Sequence, residues 1–320
     1  MRLCTAGNLK NHKGGLVNKA IEIKKLGTID VINATVPYSQ DPTSVFHTLC
    51  ENKTDSLLLE SAEIESKQNL TSLLLIDSAV RIVCEGHQVT FQALTDNGQH
   101  LIEHLNANVK SDIESQLKDN VLILTFTQPS INLDEDSRLR EASSFDALRL
   151  VQHSFKQDPN NKHALFMAGL FAYDIVANFE PLGDAEATNN CPDFVFYVAE
   201  TLLRFDHQQN EGLLHASVFS EDQAIKTRLT ERLADIQTQC KSLKEIADVT
   251  PLDNVEAVPS VSDEDFCQTV RDLKEYVVKG DVFQVVPSRR FTLPCPAPLA
   301  AYKELKQSNP SPYMFYLKDS

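Results

Sequence analysis

The chain has 320 residues, 42% of them hydrophobic and 23% charged, with a formal net charge of −15. Its composition is that of a soluble globular protein, and its length exceeds the roughly 100–200 residues of one domain, so two structural units are expected. The acidic balance opposes nucleic-acid binding, which needs clustered Lys and Arg, and the longest apolar run, Ala164–Ala177 with Asp174 inside it, falls short of the ~18–20 residues of a membrane span.

Residues 1–16 (MRLCTAGNLKNHKGGL) are polar and irregular, without the apolar region of a signal peptide. Lys13-Gly14-Gly15 can be encoded by a purine-rich run of the kind that forms a bacterial ribosome-binding site, and Val17 by a GTG start codon. Residues 1–16 are therefore expected to be untranslated leader or disordered. Asp41-Pro42 sets a capping carboxylate before a proline at the first helical position, predicting a helix over 42–51 with Val45, Phe46 and Leu49 on one face. Strands follow over Ser56–Ser61, Ser72–Asp77 and Val80–Cys84. Glu85-Gly86-His87 turns the chain into Gln88–Leu94, where apolar and polar residues alternate. A helix over Gly98–Asn108 and a strand over Val121–Phe126 come next.

Phe145, Leu148, Val151 and Phe155 recur at helical spacing, predicting a helix over Ser144–Phe155. Leu165–Ala172 and Phe194–Phe205 read as strands, the second pairing with Gly212–Phe219. Short hairpin connections and alternation point to antiparallel sheets and not to repeated βαβ units. A charged helix is predicted over Ser220–Ala247. Residues 248–261 (DVTPLDNVEAVPSV) carry two prolines, three acidic residues and no periodicity, which marks a linker between units 17–247 and 262–320. In the second unit Ser262 caps a helix whose stripe Phe266, Val270, Leu273 and Val277 is expected to be buried. A strand over Val282–Phe291, a helix over Pro298–Gln307 and a strand over Tyr313–Leu317 complete it. That last strand ends in Lys318-Asp319-Ser320 with nothing obvious to pair against, so the chain reads as the front of a longer protein.

Seven cysteines at 4, 50, 84, 191, 240, 267 and 295 include no CxxC and no close pair, which suits neither zinc nor a disulfide framework. They read as reduced core thiols of a cytoplasmic protein, with Cys191 a packing residue. His100 and His104 have ligand-like spacing but no third ligand nearby, so a solvated helix face is the better reading. With ten glycines in all, no phosphate loop is expected.

Three features carry chemistry. In Asn309-Pro310-Ser311-Pro312-Tyr313-Met314-Phe315-Tyr316 two prolines stiffen a turn that feeds an aromatic strand. Such a turn holds carbonyl oxygens and an aromatic face in place, which suits a ligand with an ammonium and a flat ring; the plain alternative is a rigid connector. Leu57-Leu58-Leu59-Glu60-Ser61 is a buried strand ending in a carboxylate and a hydroxyl that need partners, because an unpaired buried polar group costs about 1–3 kcal/mol. Arg289 and Arg290 either hold carboxylates or neutralise an acidic neighbourhood, with Pro287 marking an edge or bulge.

The runs LLLESAEI (57–64), NNCPDF (189–194), GDVFQVVPSRRF (280–291) and NPSPYMFY (309–316) stand in the order found in anthranilate synthase component I, and the sequence resembles that chorismate-using family across nearly all of its length. The resemblance implies an α+β fold of orthogonally packed, largely antiparallel sheets with outer helices, here truncated. Residues 17–247 would form a regulatory domain and 262–320 the start of a chorismate-binding domain. It also implies an activity: ammonia, drawn from glutamine by a glutamine amidotransferase subunit (component II), is added to chorismate, and anthranilate and pyruvate leave. L-Tryptophan would inhibit at a site formed by Glu60, Ser61, Pro312, Tyr313 and Met314. No catalytic residue and no metal ligand would lie in these 320 residues, because the family's Mg2+ glutamates and catalytic histidine come later; the chain alone is expected to be inactive. The absence of tryptophan from the chain fits an enzyme made when tryptophan is scarce. Aminodeoxychorismate synthase component I, which shares the fold, and a non-catalytic tryptophan-binding module are the alternatives. If the Ser61 and Pro312–Met314 segments meet, one pocket is expected to span the two units.

Overall fold

The computed structural model describes residues 23–62, 69–127, 134, 137, 141–156, 158–178, 191–246 and 255–320. The leader and start site expected over 1–17, most of the linker (248–254) and the ends of two signature runs (Glu63, Ile64, Asn189, Asn190) lie outside the described residues. The chain divides into two compact units, Met1–Glu245 with Pro310–Ser320, and Ile246–Asn309.

The first unit is built on a ten-stranded sheet whose strand pairings are all antiparallel. Two long strands organise it. β3 (Asn69–Glu85) and β8 (Phe194–Asp206) run antiparallel from Thr71↔Asp206 to Cys84↔Phe194, with register irregularities between Leu75 and Val80. On one side of that irregularity the order is β12 (Tyr313–Lys318), β2 (Ser56–Ala62), β3, β8, β9 (Glu211–Val218) and β1 (Asp30–Val36). On the other side it is β7 (Met167–Phe171), β8, β3, β4 (Gln88–Ala93), β6 (Val121–Thr125) and β5 (Glu114–Lys118).

The sequence suggested two strands here because Ser78-Ala79 interrupts the large apolar residues, yet the backbone runs through as a bulge. Asp77, next to it, accepts from Thr201 Oγ1 at 2.6 Å and Arg232 Nε at 2.9 Å and also pairs with Lys53. The Ala79 carbonyl accepts from Leu94 N at 2.8 Å. Gly98 comes so close to this point that a Cβ on it would lie 1.9 Å from Ala79 O.

Helices flank the sheet and are capped as their sequences dictate. In α1 (Pro42–Cys50) the Asp41 carboxylate accepts from Ser44 N at 3.2 Å. In α2 (Asp96–Asn108) Thr95 Oγ1 accepts from Gly98 N at 3.0 Å. Asp146 of α3 (Ser144–His153) reaches back to the Ser143 amide at 2.9 Å. α4 spans Gln223–Gln239 and stops short of the expected Ala247: its buried stripe Ile225, Leu229, Leu233 and Ile236 ends at Cys240, and Leu243 is exposed. A fully buried core of Ile82, Phe91, Leu101, Leu105, Leu122 and Val151 joins β3, β4 and β6 to α2 and α3. β5, with the polar sequence ESQLK, was not expected as a strand; it forms because it has β6 to pair with.

Pro310–Ser320 departs from expectation in company. β12 pairs with β2 through six registered residues, Tyr313↔Ser61 to Lys318↔Ser56. Beyond it, Asp319 takes a fork of two hydrogen bonds from Arg81, both 2.8 Å, and one from the Tyr197 hydroxyl. Lys318 Nζ donates to the Cys50 and Glu51 carbonyls at 2.9 and 2.7 Å. The strand that looked unpaired in the sequence is tied down along its whole length.

In the second unit, α5 (Asp263–Lys279) starts with Ser262 Oγ accepting from Asp265 N at 3.1 Å and ends at Gly280, φ 82°. Its apolar stripe has the expected spacing but is not buried: α5 contains no buried residue, and Val277 is 43% exposed. Nor does a strand form over Val282–Phe291. Only β11 (Phe291–Thr292) pairs, with β10 (Val258–Pro259), because Pro287 interrupts the run and its other residues have no partner strand among the described residues. α6 covers Pro298–Ser308.

Candidate functional site

Two of the four signature runs meet at the β2–β12 ladder. Ser61 faces Tyr313 and Glu60 faces Met314, and the Ala62 amide donates to the Pro312 carbonyl at 2.8 Å. The carbonyl expected to stand bare for a ligand thus already accepts one backbone bond. All five motif residues fall in the first unit, so they need no second unit to assemble, contrary to the expectation of a pocket spanning two.

Pleating divides them between two faces. Ser61 and Tyr313 share a face with Thr71, Leu59, Leu73, Phe315 and Arg204, by the registers of β12, β2, β3 and β8. Glu60 and Met314 belong to the row of Ser72 and Phe205 on the other. There Glu60 is held by a relay: Ser72 Oγ lies 3.5 Å from Glu60 Oε1 and 2.8 Å from His207 Nε2, and His207 Nδ1 lies 2.8 Å from Tyr38 Oη. Glu60 is 4% exposed. The partners that the sequence demanded for the buried strand end are therefore present, Ser61 Oγ donating to Thr71 O at 3.3 Å.

On the Ser61 face lies a pocket of about 390 Å³, within the range of small-molecule sites. It is lined by the sheet face just described, by His163, Phe166 and the strand β7 that pairs with β8, and by Phe196. Glu60 and Met314 also contribute to its wall. Gly169 of β7 lies close against β8, since a Cβ there would lie 2.0 Å from Val195 O. The walls are mostly apolar, and the basic side chains lining it are Arg204 and His163.

The His163 ring stacks on His215 at 5.9 Å and 11°. Burial, then the charges of Arg204 and Lys162, hold the His163 imidazole below its ordinary range. His215 is pushed down to about 4 by burial first and then by His163 and Arg204, and its Nε2 is buried without a partner among the described residues.

Other candidates fall to structural roles. His104 Nε2 lies 3.0 Å from Ser154 O, and His100 pairs loosely with Glu103 at 3.9 Å. Arg289 pairs with Asp263 and stacks over Phe266 and Phe291, at 5.2 and 4.7 Å from the ring centroids. Cys50, Cys84 and Cys240 are core thiols, but Cys191, Cys267 and Cys295 are exposed, so Cys191 does not pack as expected. Among the described residues no three His, Cys, Asp or Glu side chains are grouped to hold a metal, and no helix is long and apolar enough to cross a membrane.

Compared with known families, residues 65–320 match the chorismate binding enzyme family. The chain belongs to that family. The match takes in most of the first unit as well as the second. The chain is 68% identical over 319 residues to anthranilate synthase component 1 of Vibrio parahaemolyticus, covering 100% of this chain and 59% of that protein. It is 59% identical to the Vibrio cholerae protein of the same name (95% of this chain, 58% of the relative) and 45% identical to that of Escherichia coli (92% and 56%). The chain spans less than two thirds of the length of these relatives. A solved structure, anthranilate synthase component I from Streptococcus pneumoniae, aligns with a TM-score of 0.46 at 20% identity, over 78% of this chain and 48% of that one.

Sequence reasoning missed Arg204, Thr71 and His163 as lining residues. One signal was available: Arg204 is the lone basic residue in the strand FVFYVAETLLRFD, where burial of a charge demands a reason.

Proposed function

We propose that this chain is the front part of an anthranilate synthase component I. The complete enzyme, of the length its relatives have, would convert chorismate and ammonia to anthranilate and pyruvate in the cytoplasm, the ammonia coming from glutamine through an amidotransferase subunit. The observation that carries this reading is the 68% identity that extends over 100% of the chain. The Mg2+ that such chemistry uses would be held by sequence that the relatives carry beyond the shared span.

The role proposed for this chain's own residues is feedback. L-Tryptophan would lie against the β2–β12 ladder, with the Ser61 hydroxyl and Tyr313 on the pocket face, Pro312 fixing the turn, and Glu60 and Met314 forming the adjoining wall. Inhibition then follows as a difference in tryptophan affinity between two arrangements of the enzyme. The test is turnover. The complete enzyme with chorismate, Mg2+ and either ammonia or glutamine plus partner should release fluorescent anthranilate and slow as L-tryptophan is added, whereas the 320-residue chain should release none. Formation of the para isomer instead would move the assignment to aminodeoxychorismate synthase; turnover by the 320-residue chain would overturn the placement of catalysis outside it.

A further inference from the structure

The motif residues account for a ligand's ring and ammonium and leave its carboxylate without a partner. Ser61 already donates to Thr71 O, and Glu60 is an acidic side chain already held by Ser72. Arg204 has the capacity they lack. It stands on β8 opposite Leu73 and Leu213, in one row with Leu59 and Phe315, a guanidinium set into an apolar pocket face. Among the described residues it donates no hydrogen bond, and its one ion pair there, to Asp206 on the same strand, is long at 3.9 Å. The other Asp206 oxygen is occupied by the Gln208 and Gln209 amides at 3.1 and 3.0 Å. His163 lines the same pocket, stacked on His215, so three basic side chains gather here, and the ion pair among the described residues that answers Arg204 is the loose one to Asp206. Burial first, and after it the neighbouring positive charge that includes Arg204, disfavours protonation of both imidazoles.

We infer that Arg204, with His163 beside it, binds the carboxylate of the aromatic amino acid that occupies this pocket, and that this contact selects α-amino acids over amines and amides. The inference rests on the feedback reading above and supplies its missing group. A guanidinium takes a carboxylate through two parallel N–H···O bonds, and the pocket's apolar walls shield that pair from water. Arg204 touches neither signature run through the backbone, so no motif would have pointed to it.

The experiment uses the 320-residue chain, whose lack of tryptophan leaves ligand indole emission against a tyrosine background. L-Tryptophan, L-tryptophanamide and indole-3-propionate are titrated into wild type, Arg204→Gln and Arg204→Lys. Wild type should bind L-tryptophan about tenfold or more tightly than the amide. Arg204→Gln should weaken L-tryptophan and indole-3-propionate by about ten- to a hundredfold, the weight of a charge-assisted pair, and leave the amide within about twofold; Arg204→Lys should recover part of the loss. Retained amide binding also shows that the variant is folded. Equal weakening of L-tryptophan and amide, or none, overturns the carboxylate role and leaves the tryptophan reading standing. Arg204-dependent binding of indole-3-propionate without binding of L-tryptophan does the reverse. No binding of any of the three by wild type overturns both.

Discussion

His215 gives a stability prediction with a sign and a size. Its imidazole is buried, stacked on His163, and its Nε2 has no partner among the described residues. The folded protein holds it neutral down to about pH 4, against 6.5 in an unfolded chain, because burial and then the neighbouring His163 and Arg204 disfavour its charge. Between those values the unfolded state carries the extra proton, so stability should fall as pH drops from 6.5 towards 4 and stay level below. At 1.36 kcal/mol per pH unit the gap corresponds to about 3 kcal/mol in full, and to about 2 kcal/mol at pH 5. Asp77 and Asp319 also respond to acid: burial opposes their ionisation, but Lys53 with Arg232, and Arg81 with Tyr197, outweigh it and hold both below the ordinary carboxylate range. Comparing wild type with His215→Leu removes those shared contributions. Urea unfolding followed by far-UV circular dichroism at pH 7.5, 6 and 5 should show the leucine variant gaining on wild type by about 2 kcal/mol across that range. A difference between the two that stays flat within about 0.5 kcal/mol would refute the reasoning, since His215 would then titrate alike in both states.

Three further substitutions probe the site and its support. Ser61→Arg would fill the pocket beside Tyr313 with a second cation, and in the complete enzyme it should abolish inhibition by L-tryptophan while turnover changes less than about twofold; equal inhibition of variant and wild type places the effector elsewhere. Asp319→Ala removes the Arg81 fork and the Tyr197 bond, and should cost about 1–2 kcal/mol after allowing for partial exposure. Hydrogen exchange should then quicken in β12 before β8, and uniform quickening would show that Asp319 does not act locally. Gly98→Ala places a methyl group 1.9 Å from the Ala79 carbonyl, so it should cost about 3 kcal/mol or more despite the better helix propensity of alanine; an unchanged melting temperature would contradict that close approach.

How much was legible depends on what each element answers to. Local chemistry read well: Asp41-Pro42 opens α1, Ser262 opens α5, and the Glu85–His87 turn carries Gly86 at φ 59°. Tertiary partnership did not. β3 looked like two strands because Ser78 and Ala79 are too small to advertise a buried bulge. ESQLK looked like no strand at all, since an edge strand needs a neighbour more than a hydrophobic pattern. Val282–Phe291 has strand composition and almost no pairing, and the α5 stripe has helical periodicity and no cover. At the site, the pairing of Leu57–Ser61 with Tyr313–Leu317 is invisible to any local pattern; resemblance pointed to it, and register explains why Ser61 and Glu60 face opposite ways.

The late arrival of β12 has a consequence for synthesis. β2 has β3 on one side and β12 on the other, and their sequence positions differ by about 250 residues. At about 5–20 residues per second a ribosome needs roughly 10–50 s to make that stretch. For this time Leu57-Leu58-Leu59 is the open edge of a growing sheet, apolar, uncharged and free of proline, the composition that recruits foreign strands. A nascent chain of this protein is therefore most exposed to misassociation before residue 313 emerges, and chaperone contacts or aggregation during translation should concentrate on the Ser56–Ala62 segment and cease once Tyr313–Lys318 is available to cover it.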